Sequence, residues 1–252
     1  MEAPVILKLE KLGFSYPSRT VLDNFSLNVK QGEIVSLLGH SGCGKTTLLN
    51  IIAGFLQPTT GFAFLNEREI TGPGPDRGVV FQSYALFDWM TIEDNIAFGL
   101  RCKGIKKDAR RSIASKAVAM VGLKGFERSY PYELSGGMRQ RCALARVLAT
   151  KPTVMLMDEP FAAVDVQTRE ALQEEILRIQ SETDSTIIFV THSIDEAVFL
   201  SSRIILFKKA GHGDFEEFKV DLPTPRSDSM NRISPSFNAL RSRIYEAMRS
   251  ID

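Results

Sequence analysis

Apolar and polar residues alternate through ILKLEKLGFSY and again through FSLNV, with Pro17 and Ser18 between the two runs and Lys30 and Gly32 after them. A period of two bounded by turn residues predicts a pair of antiparallel strands at the N-terminal end. EIVSLL then forms a compact apolar run, the pattern of a strand covered on both faces, and GHSGCGKTTLLNIIAGF follows it as a glycine-rich loop and a helix. From about 90 to 150 the period becomes helical, in TIEDNIAFGLR, ARRSIASKAVAMVGL and the stretch after LSGG, and strand signals stop. That third of the chain reads as a helical insertion. Strand runs return at TVMLM and TIIFVTH, separated by QTREALQEEILRIQSET, in which Leu172, Ile176 and Ile179 share one helical face. Strand, helix, strand in that order predicts a crossover unit of a parallel sheet. Beyond the proline breakers of DLPTPR, Phe237, Leu240, Ile244, Met248 and Ile251 recur at helical spacing, which predicts an amphipathic helix packed against the domain.

Composition narrows the class without naming it. The chain has 252 residues, 44% hydrophobic and 24% charged, enough to bury a substantial core in one large domain or two small ones. Its formal net charge is +1, with Lys and Arg scattered, so total charge draws it toward neither nucleic acid nor acidic lipid. MEAPVILKLEKLGF reads as the start of a strand rather than as a signal peptide, and runs such as IIAGFL and VMLM fall far short of the roughly 18 apolar residues of a membrane span. Cys43, Cys102 and Cys142 lack metal-ligand spacing, which fits a reducing compartment. Cys43 lies inside the glycine loop; a small residue tolerated in a loop is the plainer reading, and if its thiol does react, modification should block binding there and the loop's ligand should protect against it.

The chemistry sits at the ends of the apolar runs. Gly39, His40, Ser41, Gly42, Cys43, Gly44, Lys45 and Thr46 fit the phosphate-loop pattern in its required place between strand and helix. Backbone N–H groups of this loop, continuing into Thr47, are expected to wrap phosphates, with Lys45 on the β and γ oxygens and the Thr46 hydroxyl on Mg²⁺. VMLMDE places Asp158 and Glu159 at the end of an apolar strand, where ligands gather in doubly wound sheets. Taken alone, such a pair is as often a solvated turn; with the phosphate loop upstream, Asp158 is read as a Mg²⁺ anchor and Glu159 as the base or orienter of an attacking water. His192 ends the next strand run. A lone histidine is usually structural, but here it is placed to bond a γ-phosphate and steady Glu159. Gln82 follows GVVF and leads into the helical insertion, so its amide is read as reaching Mg²⁺ or the water and reporting the γ-phosphate onward, against the plainer reading of an exposed loop residue. LSGGMRQRCALAR is a second helix start suited to an anion, with Ser135 as cap and Gly136 and Gly137 behind it.

In this order and spacing, GHSGCGKT, Gln82, LSGGM, VMLMDEP, Asp165 and THS resemble the nucleotide-binding subunits of ATP-binding cassette (ABC) transporters over nearly the whole chain. ITGPGPDRGVVFQ, DEPF and DLPTPRS are similar more narrowly to the bacterial import group that handles nitrate, taurine and other sulfonates. The resemblance implies an α/β fold: a P-loop NTPase (RecA-like) core with an antiparallel β subdomain and an inserted α-helical subdomain. Residues 1–252 then form one ABC ATPase domain, with the core in 1–88 and 150–222, the helical subdomain in 89–149 and a helical tail in 223–252. It implies ATP and Mg²⁺ as cofactors, stacking of Tyr16 on adenine, Asp165 at the contact between two subunits, and a head-to-tail pair with a second copy, in which Ser135, Gly136, Gly137 and Met138 close on ATP held by the other chain's Lys45. Met138 stands where glutamine is commoner, FAAVD where FGALD is usual, and KKAGHGDFEEF differs from the group before DLP.

The same resemblance implies membrane-spanning permease subunits as partners, a solute-binding protein beyond them, and a peripheral place on the cytoplasmic face of the bacterial inner membrane. Tyr84, Leu86, Phe87, Trp89 and Met90 cluster just after Gln82 without a clear period and are expected to serve as the docking surface, about half of them packed inside. Two rival readings fit the sequence less well. A chromosome or DNA-repair ATPase would carry coiled-coil heptads or a paired cassette, and no basic patch with interleaved aromatics supports nucleic acid as a partner. A pseudo-ATPase scaffold is opposed by Lys45, Asp158, Glu159 and His192 together.

Overall fold

The computed structural model describes residues 3–162, 164–208, 214–223 and 228–250. Ala163 of FAAVD, the middle of KKAGHGDFEEF, the end of DLPTPRS and Ile251 lie outside the described residues.

Four antiparallel strands form one sheet, β1 (Val5–Tyr16), β2 (Arg19–Lys30), β4 (Thr60–Leu65) and β5 (Arg68–Glu69), in the order β2-β1-β4-β5. The first two are the predicted hairpin, paired in register at Leu9 and Leu27 and closing at Tyr16 and Arg19. A second, six-stranded sheet has the order β10-β9-β3-β8-β7-β6, built from β3 (Ile34–Leu38), β6 (Arg77–Val80), β7 (Val154–Asp158), β8 (Thr186–Thr191), β9 (Arg203–Phe207) and β10 (Phe215–Lys219). All its neighbours are parallel except β10, which runs antiparallel to β9. Both β3 and β8 are buried at every position, which is why their sequences show apolar runs and no alternation.

Alternation is present all the same, divided between two cores. Val35, Leu37, Val154, Leu156, Ile188, Val190 and Ile205 point to a core shared with the antiparallel sheet and with α1 (Lys45–Ala53). Their neighbours Ile34, Leu38, Met155, Met157, Ile187, Phe189, Ile204 and Leu206 point to a core shared with the remaining helices. The period of two of a strand therefore assigns each residue of the central sheet to one layer or the other.

The helices of the second layer are α2 (Ile92–Cys102), α3 (Lys107–Met120), α4 (Gly136–Ala149), α5 (Val166–Thr183), α6 (Ile194–Leu200) and α7 (Pro235–Arg249). Leu172, Ile176 and Ile179 of α5 are buried as predicted, and β7 and β8, joined by α5, are adjacent and parallel. In the tail, α7 buries Phe237, Leu240 and Ile244 and packs on α6, with Arg241 Nε 2.7 Å from Asp195 Oδ1. Among the described residues no helix is long and apolar enough to cross a membrane.

Candidate functional site

Three hydrogen-bonded neighbours of the central sheet, β3, β8 and β7, end at the same edge: Leu38 pairs with Thr191, and Asp158 with Val190. The phosphate loop leaves β3 there, His192 follows β8, and Asp158 and Glu159 close β7. Sheet pairing thus gathers side chains that are more than a hundred residues apart in sequence.

The loop turns into α1 at Gly44, whose φ is 109°. A Cβ at that position would lie 2.9 Å from Val21 Cγ1 and 3.1 Å from the Val21 carbonyl oxygen, so both the positive φ and the close approach of β2 require glycine. Lys45 is buried, and its Nζ donates to the carbonyls of Gly39 (2.7 Å) and His40 (2.8 Å), with Cys43 Sγ at 3.6 Å. A cleft of about 380 Å³ opens on this loop, lined by Tyr16, Arg19, Val21, Ser41, Gly42, Gly44, Lys45, Thr46, Thr47 and Glu159. Tyr16 is half exposed at its mouth, its ring edge-on to Phe14.

Thr46 Oγ1 donates to Asp158 Oδ1 at 3.2 Å. Burial pushes the Asp158 carboxyl up from the ordinary carboxylate range and nearby Glu159 adds to this, while the Thr46 hydroxyl and Lys45 act in the opposite direction. A hydroxyl beside a carboxylate is a hard-oxygen pair of the kind magnesium accepts, so the residues present fit the expected cation. Glu159 sits at φ 43°, a left-handed conformation uncommon for a residue with a side chain, and its N–H donates to the Val190 carbonyl at 3.1 Å. His192 Nδ1 lies 3.6 Å from Glu159 Oε2, and the imidazole is largely exposed.

Other predicted residues lie elsewhere. Gln82 is exposed on the turn after β6, on the far side of β7 from His192, and does not line the cleft. Ser135 caps α4 by accepting from Met138 N–H at 3.3 Å, with Gly136 and Gly137 in the first turn. Asp165 caps α5, and the Thr168 N–H it accepts at 3.0 Å holds its carboxyl below the ordinary range. A Cβ on Gly137 would lie 2.3 Å from Thr168 Cγ2, so the first turns of α4 and α5 pack against each other, and neither Ser135 nor Asp165 lines the Lys45 cleft of the same chain.

The segment after Gln82 is held from two helices. Asn95 of α2 is fully buried: its Oδ1 accepts from Phe87 N–H (2.8 Å), and its Nδ2 donates to the carbonyls of Phe87 (3.1 Å), Met90 (3.1 Å) and Thr91 (3.0 Å). Arg146 of α4 donates to the carbonyls of Ala85 (2.6 Å) and Tyr84 (2.9 Å), both residues having positive φ. Tyr84, Leu86, Phe87 and Met90 are partly buried, whereas Trp89 is 74% exposed.

Sequence reasoning missed Arg19 and Val21 of the cleft. Arg19 Nη2 donates to the Gly42 carbonyl at 3.0 Å, and the one available signal was its place in the hairpin turn beside Tyr16. Cys43 is buried within the loop, and Cys102 is the exposed thiol.

A sequence description of the ABC transporter family matches residues 22–162. An uncharacterized ABC transporter ATP-binding protein of Methanocaldococcus jannaschii is 49% identical over 249 residues, 97% of this chain and 92% of the relative. The taurine import ATP-binding protein TauB of Jannaschia sp. is 46% identical over 226 residues, 88% of this chain and 84% of the relative. Among solved structures, a dimeric ATP-binding cassette in a post-hydrolysis state, bound to ADP and Pi, is similar with a TM-score of 0.74 at 32% identity, covering 86% of this chain and 99% of the other. With a strand-edge phosphate loop, an aligned acid pair and these relatives, the chain belongs to the ABC transporter family as an ATP-binding subunit with the α/β fold of P-loop NTPases.

Proposed function

We propose that this ABC ATPase energises import of a small anionic or zwitterionic solute, of the nitrate, taurine or sulfonate class, and that it works as a head-to-tail pair. The observation that carries the pair is that two helix starts suited to an anion do not meet in one cleft: Lys45 and Thr46 line it, while the Ser135 turn that caps α4 does not. In a sandwich of two copies, Ser135, Gly136, Gly137 and Met138 of one chain close on ATP in the other's cleft. Charge-assisted hydrogen bonds from both sides then hold the copies together until the third phosphate is cleaved.

Within the cleft, Tyr16 offers its half-exposed ring to adenine, the N–H groups from Ser41 to Thr47 face the phosphates, and Lys45 exchanges its carbonyl partners for phosphate oxygens. Thr46 and Asp158 would hold Mg²⁺, with Gln82 reaching it as the copies close; the cation neutralises charge on the phosphate oxygens. Glu159 takes the proton of the attacking water or orients it, and His192 supports Glu159 and the γ-phosphate. Asp165 serves the contact between copies. Trp89 and its partly buried neighbours present the surface to a membrane-spanning permease, which places the subunit on the inner face of the membrane, fed by a solute-binding protein. The solute class rests on the likeness to TauB and on ITGPGPDRGVVFQ.

Glu159→Gln tests the catalytic assignment. The variant is expected to bind ATP, fail to turn it over and elute as a dimer on size exclusion. A monomer with unchanged turnover would overturn it.

A further inference from the structure

Ser193 and Glu196 stand at the spacing of a capping box, in which the acid at the third helical position reaches back to the cap's own N–H. Half of that box forms, with Ser193 Oγ accepting from Glu196 N–H at 3.3 Å. The other half is diverted: Ser193 N–H goes to Thr191 Oγ1 at 3.0 Å, and the same hydroxyl donates to Glu196 Oε2 at 2.5 Å. Thr191 is 1% exposed and Glu196 9% exposed. The result is a closed ring of hydrogen bonds among Thr191, Ser193 and Glu196, which brackets His192 in the sequence. The His192 side chain is itself largely exposed, and the ring holds the backbone from which its imidazole leaves.

The other oxygen of the carboxylate looks toward a different loop. Arg169 Nε lies 3.9 Å from Glu196 Oε1, and Arg169 Nη2 donates to the Val164 carbonyl at 3.0 Å, one residue before Asp165. One buried carboxylate therefore hydrogen-bonds the support of His192 through Oε2 and forms a longer ion pair with the support of the Asp165 turn through Oε1. A carboxylate buried this deeply is costly unless it is bonded or paired.

We propose that Glu196 is a positioning residue for ATP hydrolysis: through Thr191 it sets the imidazole of His192 against Glu159, and through Arg169 it makes that setting depend on the placement of the Asp165 turn. The inference rests on the roles given above to Glu159, His192 and Asp165. Contact of a second copy with Asp165 is then felt at His192 without passing through the nucleotide.

The test uses the full chain and four variants, Thr191→Val, Thr191→Ser, Glu196→Ala and Glu196→Gln, with kcat and KM for ATP measured beside melting temperature. Thr191→Val and Glu196→Ala are expected to lower kcat about tenfold, a barrier change of about 1.4 kcal/mol, with KM within a factor of two. Thr191→Ser keeps the hydroxyl and is expected to restore kcat. The chain has three histidines, so the His192 imidazole signal can be followed by NMR; it should move in Thr191→Val and Glu196→Ala and return in Thr191→Ser. Glu196→Gln keeps the acceptor for Thr191 but not the charge facing Arg169, and is expected to lower kcat. An unmoved signal in Thr191→Val, or a moved signal with wild-type kcat, would sink the proposal, as would a kcat loss that only tracks melting temperature across the four variants. Failure of Glu159→Gln to trap ATP would instead strike the underlying ATPase assignment, so the two failures are told apart.

Discussion

Replacing Asn95 by leucine exchanges a buried amide for an apolar group of nearly the same volume, so the loss reports hydrogen bonding and not a cavity. Four hydrogen bonds, to Phe87 N–H and to the carbonyls of Phe87, Met90 and Thr91, disappear together. At about 1 kcal/mol net for each, the gross loss is about 4 kcal/mol. The leucine side chain recovers about 2 kcal/mol through apolar burial, leaving a destabilisation of about 2 kcal/mol. For a domain of this size that corresponds to a fall of roughly 4 to 8 °C in melting temperature. Urea unfolding should show a lower midpoint with the slope unchanged. Because the four partners all lie between Phe87 and Thr91, affinity for ATP should stay near wild type while assembly with the permease weakens. A destabilisation under about 1 kcal/mol, or an equal loss of ATP affinity, would refute the view that Asn95 is the anchor of this segment alone.

Asp158→Asn should make the nucleotide-free protein more heat-stable at neutral pH while abolishing the extra stability given by Mg²⁺ with ATP. Burial raises the folded carboxyl above its unfolded value, so the protonated form is favoured by folding, and its contribution is fully present below the unfolded pKa of about 3.9 and lost as pH rises through the folded value. The advantage of the asparagine should accordingly vanish in melting curves taken near or below that lower limit; an advantage independent of pH would contradict the assignment. Trp89→Glu should leave ATPase activity of the free subunit unchanged and reduce permease binding in a pull-down, and unchanged binding would remove Trp89 from the docking surface. Limited alkylation followed by peptide mapping should label Cys102 first and leave Cys43 unreacted in the folded protein, since only the former is exposed; early labelling of Cys43 would show the phosphate loop opening.

Elements whose side chains all serve one or two faces were legible in the sequence. The hairpin of β1 and β2, the run of β3 into its loop, and β7, α5 and β8 each have a local period or a covered apolar run, and those elements carry Lys45, Asp158, Glu159 and His192. β4 gives a weak signal, because Phe62 is 52% exposed and TGFAFL alternates only weakly. β9 is hard to separate in the sequence although RIILF is buried at four of its five positions, because only Ser201 and Ser202 divide it from the apolar end of α6. Arg19 and Glu196 could not be found by period at all. Arg19 reaches Gly42 only after one sheet packs on the other, and Glu196 looks like an ordinary solvated acid in SIDEA until the fold closes over it. The Ser135 turn is legible as a helix start, whereas its absence from the Lys45 cleft follows from topology.

The central sheet has a mechanical consequence. Each of its strands sends alternate residues into opposite cores, so it is a party wall: loosening either layer strips contacts from the same backbone that supports the other. Amides of β3, β7 and β8 should therefore be the slowest in the molecule to exchange with solvent, and the loops that leave their shared edge inherit that stiffness.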